Sequence, residues 1–537
     1  VKLRVTAVMP VALVVLAACG EPAEDGAEAQ DHHIVLADSY EPENFNPVAG
    51  HGEDGSSKIY DGLLRLAAGE QATPELEPAL ATGRPEVNAD ATEWTLELRD
   101  DVTFHDGSEF SADDVVATFE AIIDPAFASP LASAYGMLDR VEKVDNHTVR
   151  FHLEYSYAPF DTRLLLGIVP AAAVADPAPV EESPLNTEPI GTGPYRLDEW
   201  RRGERVVLEA NDEYWDGAPD VTRLTIASAT DDNTRAQRMR SGEFDGAWLP
   251  PKLAATFADA DDAEVVTNPS ADWRGITMPA GHPVTGDPDI RMALNLAVDR
   301  EAMIETVLAG HGVPAHTLIP EVFGQYYNPA AVFQHDPEAA SQLLDDTGWD
   351  EADDGIRVKD GQRAEFTVMY FPEETVRRDL GQAFASDARA IGIEVTLEAV
   401  DRPEFRPRTP QDAGVLGGGD FPFDPDPQVY NALHSQFADY DDANPFLNPT
   451  AFRDDDVDAA LDLGRRSLDE EERVQAYHEI QQRLVDDPPY VMLAFLDHTY
   501  VMKADDRWTG TTQIVEPHAH GVEWGPWWNI REWRRSE

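Results

Sequence analysis

The chain has 537 residues, 42% of them hydrophobic and 27% charged, enough for a large core spread over two or three domains and unlike the composition of a disordered chain. Its 102 acidic residues against 41 basic ones leave a formal charge of -61, a surface that repels phosphate backbones and anionic lipid and argues against nucleic acid as a partner. The acids occur all along the sequence, which fits a strongly hydrated, salt-screened surface and locates no pocket.

At the start, Lys2 and Arg4 precede an apolar run from Val5 to Ala18. The run is shorter than the roughly 20 residues of a membrane-spanning helix and has the layout of a signal peptide. It ends in Leu16-Ala17-Ala18-Cys19, which resembles the lipobox of bacterial lipoproteins. That resemblance implies removal of residues 1–18, lipid on Cys19, and a protein held at the outer face of the cell membrane. Cys19 is the single cysteine, so intramolecular disulfides and multi-cysteine metal sites are excluded. Residues 19–31 are small and acidic without apolar periodicity, as expected of a flexible tether.

From His33 onward, apolar runs rich in β-branched and aromatic residues predict strands. They are HIVLADSY at 33, TEWTLELRD at 92, HTVRFHLEY at 147, RVVLEAND at 205, VTRLTIASA at 221, AEFTVMYF at 364 and IEVTLEAV at 393. Between the second and third lies FHDGSEFSADDVV, 104 to 116, whose histidine and acids resemble a catalytic or metal constellation. Each residue there also has a structural reading. Phe104 ends a strand, Asp106-Gly107 makes a tight turn, and Ser111 with Asp114 forms a variant capping box for a helix to about Ile123. Asp113 and Asp114 then sit in the first helical turn, where the dipole favours negative charge.

Further on, apolar periodicity predicts one helix from Ile290 to Ala309, stopped by Gly310. Asp336-Pro337 opens another that Gly348 closes. Residues 364–400 read as strand, helix, strand, a crossover that implies a parallel pair. Glu470 to Val485 is predicted helical and Tyr490 to Leu496 a strand. The fold class is α/β with more than one lobe, and no internal repeat is visible.

Signatures of hydrolases and nucleotide binders are absent. In GEDGSSK, 52 to 58, the lysine falls three places after the second glycine and cannot cradle phosphate in the usual way. Metal binding has little support: His32-His33, His434 and His518-Ala519-His520 lack a third ligand at suitable spacing, so neither metal nor cofactor is expected.

Several segments together are similar to the family-5 extracellular solute-binding proteins, the peptide and nickel receptors of ABC importers. They are KIYDGLLRL at 58, VTFHDGSEFSADDVVATFE at 102, Pro189-Ile190-Gly191-Thr192-Gly193-Pro194-Tyr195, LEANDEYWDGAP at 208, RMRSGEFD at 238, DIRMALNLAVDREAMI at 289 and HDPEAASQLLDDTGW at 335. The resemblance implies a two-lobed periplasmic-binding-protein-like fold of type II with an extra subdomain and a hinge between the lobes. It places lobe I at 32–66, 186–277 and 503–537, the extra subdomain at 67–185, and lobe II at 278–502. It also implies a monomer without catalytic groups that closes on its solute and delivers it to a permease and ATPase complex. Gly191 and Gly193 fit positions of tight turning.

In peptide-binding members an aspartate of the Gly-rich segment pairs with the ligand's ammonium group. Here the segment reads GVLGGGDFPFDPDPQVY, which points to Asp420 first and Asp424 second. Nickel-binding members carry a histidine where this chain has Asp426, which disfavours direct ligation and leaves a chelate as the alternative. Dipeptide receptors carry an arginine near Phe371, whereas here Arg377 and Arg378 follow a turn or two later, pointing to longer peptides or another amine. Trp273 and Phe421 are candidate cleft aromatics, with Tyr40, Phe45 and Phe423 behind them, and Arg274 is a candidate anion contact. The expected ligand is an oligopeptide, with a small cationic solute or nickel chelate second and a secreted hydrolase as a remote third reading.

Overall fold

The structure is a computed structural model that describes residues 32–67, 73–372, 374–419, 421, 423–439, 447–504, 507–518 and 521–536. Residues 1–31, with the signal-like run, Cys19 and the tether, lie outside the described residues, as do Asp420 and His520.

An 11-stranded sheet runs through the whole molecule. At one end His33–Asp38 pairs in parallel with Arg223–Ser228 and with Gly246–Trp248, and the antiparallel strands Arg205–Ala210 and Tyr195–Arg201 complete that side. At the other end Glu365–Tyr370 lies parallel to Glu394–Ala399 and to Ala413–Gly418, the arrangement predicted from the strand–helix–strand spacing. Two long antiparallel strands, Ala263–Thr277 and Tyr490–Lys503, join the ends. The first half of Ala263–Thr277 pairs with Asp497 to Lys503, and its second half with Tyr490 to Phe495 and with Ala413–Gly418. The register shifts between Pro269 and Trp273, a bulge where the crossing strands pass from one lobe to the other. The divisions expected at 277/278 and 502/503 fall at opposite far ends of these crossing strands.

A separate four-stranded sheet within 86–153, covered by the helix Ala112–Ile123, forms the extra subdomain, and its core is continuous with that of the first lobe. The second lobe has cores of its own on each face of its sheet.

Local chemistry explains the helix starts. Asp287, Asp336 and Asp424 each cap a helix that begins with proline. Ser111 and Asp114 form the expected reciprocal box. The single helix expected over 290–309 is instead two, Pro288–Ala297 and Arg300–Val307. Val298 is extended and the Asp299 carboxylate accepts from the Ala302 N–H, which starts a new helix while both apolar faces remain buried. Phe104 ends no strand; Thr103 and Glu109 form an isolated bridge around the predicted turn, with Gly107 at φ 85°.

The segments that carry the resemblance converge structurally. The Asp61 carboxylate accepts hydrogen bonds from Thr192 Oγ1 (3.1 Å), Tyr214 OH (3.0 Å) and Trp215 Nε1 (2.9 Å), tying three of them together. His105 belongs to the same tie: its ring lies 3.0 Å from the Gly193 carbonyl, and its Nδ1 accepts from the Gly191 N–H at 3.3 Å. The glycines serve close approach and not tight turning, because a Cβ at Gly191 would lie 2.1 Å from the Ile59 carbonyl and one at Gly193 2.5 Å from the same peptide.

Candidate functional site

The strands of the first lobe deliver their C-terminal ends to the gap between the lobes, where open α/β sheets bind ligands. Two cavities occupy this gap. The outer one, about 410 Å3, is walled by the loop after His33–Asp38, the loop 49–56, the C-terminal segment 521–524, and Phe421 from the second lobe. Six of its lining residues are acidic: Asp38, Glu41, Glu43, Glu53, Asp54 and Glu523. Burial pushes the carboxyls of Asp38, Asp54 and Glu523 up, and it pushes buried His51 down to about 4, so the ring adds no positive charge near neutrality. The buried Lys58 ammonium donates to the carbonyls of Glu523 and Trp528, both at 2.9 Å, pinning the C-terminal segment under this wall. The lysine of GEDGSSK is thus an anchor, while the Glu53 and Asp54 of that segment face the cavity.

The inner cavity, about 300 Å3, lies against the hinge. Tyr40 lines both spaces. Trp248, Pro250 and Pro251 of the first lobe face Leu308 and Val376 of the second, with Asp272, Arg274, Glu374 and His498 at the hinge side. Arg274 is 3% exposed and bound through Nη1 to the Asp272 carboxylate, while its Nε is buried without a partner among the described residues. Arg377 and Arg274 hold the Glu374 carboxyl down to about 2 despite its burial.

Behind this wall is a buried ionic network. His498 lies 2.7 Å from Glu516 and 3.2 Å from Asp272, and these carboxylates raise the imidazole to about 9 against its own desolvation. Asn268 Nδ2 (2.5 Å), Tyr500 OH (2.5 Å) and the Gly525 N–H (3.0 Å) donate to Glu516, and His518 Nδ1 is 2.5 Å from Asp272. Residues of both crossing strands and of the C-terminal segment therefore meet at the bulge.

The glycine run leads into the site because nothing larger fits. A Cβ at Gly418 would lie 2.7 Å from the Trp273 indole, and Gly419, at φ 115°, packs on the Ala271 carbonyl. Phe421 emerges beside the outer cavity with the Arg163 guanidinium 4.9 Å from its ring centroid. Trp273 itself is core, 5% exposed and edge-on to Tyr490. Phe45 is likewise core, against Trp200, and Phe423 packs on the core of the first lobe. Asp424 is buried, and both of its oxygens accept from Arg473 (2.6 and 2.7 Å). Arg377 donates to Glu374 and to the Val415 carbonyl, while exposed Arg378 pairs with Asp379. Among the described residues no group of three or more His, Cys, Asp or Glu could hold a metal ion, and His434 lies beside Asp458 and Asp462.

A second bridge between the lobes is made by contacts alone. Tyr157 OH donates to Asp426 (3.0 Å), whose carboxylate also takes two hydrogen bonds from Arg465 (2.8 and 3.1 Å). The Ala158 N–H reaches the Arg465 carbonyl at 2.9 Å and Ser156 Oγ the Arg466 carbonyl at 2.6 Å. The acids of the outer cavity, Glu374, Arg163 and this bridge were not singled out from the sequence.

A family model described as bacterial extracellular solute-binding proteins, family 5, middle, matches residues 75–440. Protein XP55 of Streptomyces lividans is 41% identical over 503 residues, 93% of this chain and 90% of its own. Among solved structures, NikZ from Campylobacter jejuni in complex with Ni(L-His) is similar with a TM-score of 0.82 and 26% identity, over 94% of this chain and 99% of that one. AppA from Bacillus subtilis in complex with a nonapeptide is similar with a TM-score of 0.78 and 25% identity, over the same shares. Among the described residues no helix is long and apolar enough to cross a membrane.

Proposed function

The chain belongs to the bacterial extracellular solute-binding proteins of family 5, binding proteins and not enzymes, and from that premise we propose that it captures oligopeptides for an ABC importer. The observation that carries the peptide reading is the six-acid wall of the outer cavity, which favours a ligand with a cationic end. In this reading the ammonium group enters the outer cavity. Asp420, next to Phe421, is its partner through a charge-assisted contact, and Phe421 covers it. Trp273 supports the glycine run from behind, Asp424 holds the loop through Arg473, and Arg274 faces the inner part of the ligand. Closure about the bulge buries the solute and completes the face offered to a permease and its ATPases. A lipid on Cys19 would hold this monomer at the outer face of the membrane.

The similarity to a nickel-histidine binder keeps a chelate as the second reading. Native mass spectrometry of the purified chain lacking residues 1–19 separates the two. A ladder of co-purified peptides supports the first, and a metal-chelate mass supports the second. Peptide affinity unchanged in Asp420→Ala would remove that residue from the ammonium site.

A further inference from the structure

The inner cavity differs from the outer in kind. Its opposing walls are apolar and come from different lobes, Trp248, Pro250 and Pro251 against Leu308, Val376 and Leu496. Trp248 is held from behind: Arg235, fully buried, donates to the Trp248 carbonyl at 2.7 Å and lies 5.1 Å from its ring centroid. Native interiors contain few voids larger than a water molecule, so about 300 Å3 between apolar walls is not a packing gap. Two of its lining residues carry a buried polar atom without a partner among the described residues, Arg274 at Nε and Ser39 at Oγ. Tyr40, its ring 6.3 Å from that of Trp248, is shared by both cavities and stands between them.

We infer that the inner cavity is a specificity compartment that takes one apolar side chain, aromatic or branched, of the solute whose cation occupies the outer cavity, with Arg274 at its polar edge. The inference rests on the peptide reading above and narrows it to peptides that join a cationic end to an apolar side chain. Each space alone is at the low end of the roughly 300–1000 Å3 typical of small-ligand pockets, and a ligand bridging them past Tyr40 uses both.

The test uses the chain lacking residues 1–19 and three sets of tripeptides, X-Ala-Ala, Ala-X-Ala and Ala-Ala-X, with X as Phe, Leu, Ser, Asp or Lys. Retained peptides are quantified by mass spectrometry. Burial of a whole side chain predicts that Phe and Leu exceed Ser about 10- to 100-fold at one position and not at the others. In Val376→Asp, and independently in Trp248→Ala, that ratio falls towards one. Retention without preference at any position, or a preference that survives both substitutions, overturns the inference while leaving a peptide receptor. Retention of no peptide by the unsubstituted chain overturns the peptide reading and this inference with it.

Discussion

At the hinge the lobes are joined by the chain itself, through strands Ala263–Thr277 and Tyr490–Lys503 and a buried network of Asp272, His498 and Glu516. At the second bridge they are joined only by contacts: the Tyr157 hydroxyl to Asp426, the Ser156 hydroxyl to the Arg466 carbonyl and the Ala158 N–H to the Arg465 carbonyl. The hinge contacts lie within or beside paired strands and can persist through opening. The bridge contacts must break whenever the lobes separate. The first set should therefore govern whether the protein folds, and the second how long it stays shut.

The largest effect is expected from His498→Leu. It leaves Asp272 and Glu516 buried without their shared cation, and breaking a buried ion pair from one side costs about 3–5 kcal/mol. Chemical denaturation would read this as a lower midpoint. A smaller, related effect follows from pH. Because the folded imidazole is raised to about 9 from an ordinary 6.5, its contribution is complete below pH 6.5 and is lost as pH rises through 9. The melting temperature should fall between pH 6.5 and 9.5, by an amount on the order of 3 kcal/mol in stability, and the fall should disappear in His498→Leu.

Tyr157→Phe reverses the pattern. It removes one hydrogen bond to a charged group, about 1.5–3 kcal/mol, and that bond exists only while the lobes touch. Ligand dissociation should quicken roughly 10-fold or more, measured by stopped flow, with little change in the denaturation midpoint. A Tyr157→Phe protein that loses stability but keeps its dissociation rate would erase the distinction. The smallest effect is expected from Lys252→Ala. The Lys252–Asp379 pair also crosses the gap, at 3.3 Å, but the lysine is 50% exposed, so the change should stay within about 1 kcal/mol and vanish at high salt.

The same contrast separates what was legible in the sequence from what was not. Helix caps are local, so Ser111 and Asp336 declared themselves, whereas Asp424, read as a ligand candidate, caps a helix. The break at Val298-Asp299 was hidden because the apolar face runs on through it. The strand from Tyr490 extends past Leu496 to Lys503, and its polar stretch Asp497-His498-Thr499, half-buried and then buried, reads as a loop unless the partners on 272 and 516 are known. The glycine run leads to Phe421, which lines the outer cavity. The acidic wall was invisible for a different reason: in a chain with 102 acids, Glu41 or Glu53 carries no signal until folding gathers them. Tyr157 and Asp426 are 269 residues apart, and no periodicity reports such a contact.

The cationic end of the ligand is the central claim, and acetylation tests it most directly. Isothermal titration of the chain lacking residues 1–19 with a peptide found to co-purify, and with its N-acetylated twin, compares two ligands that differ in the ammonium charge. Loss of a charge-assisted contact inside an acidic cleft predicts at least about 10-fold weaker binding of the acetylated form. Equal affinity for the two would contradict the account.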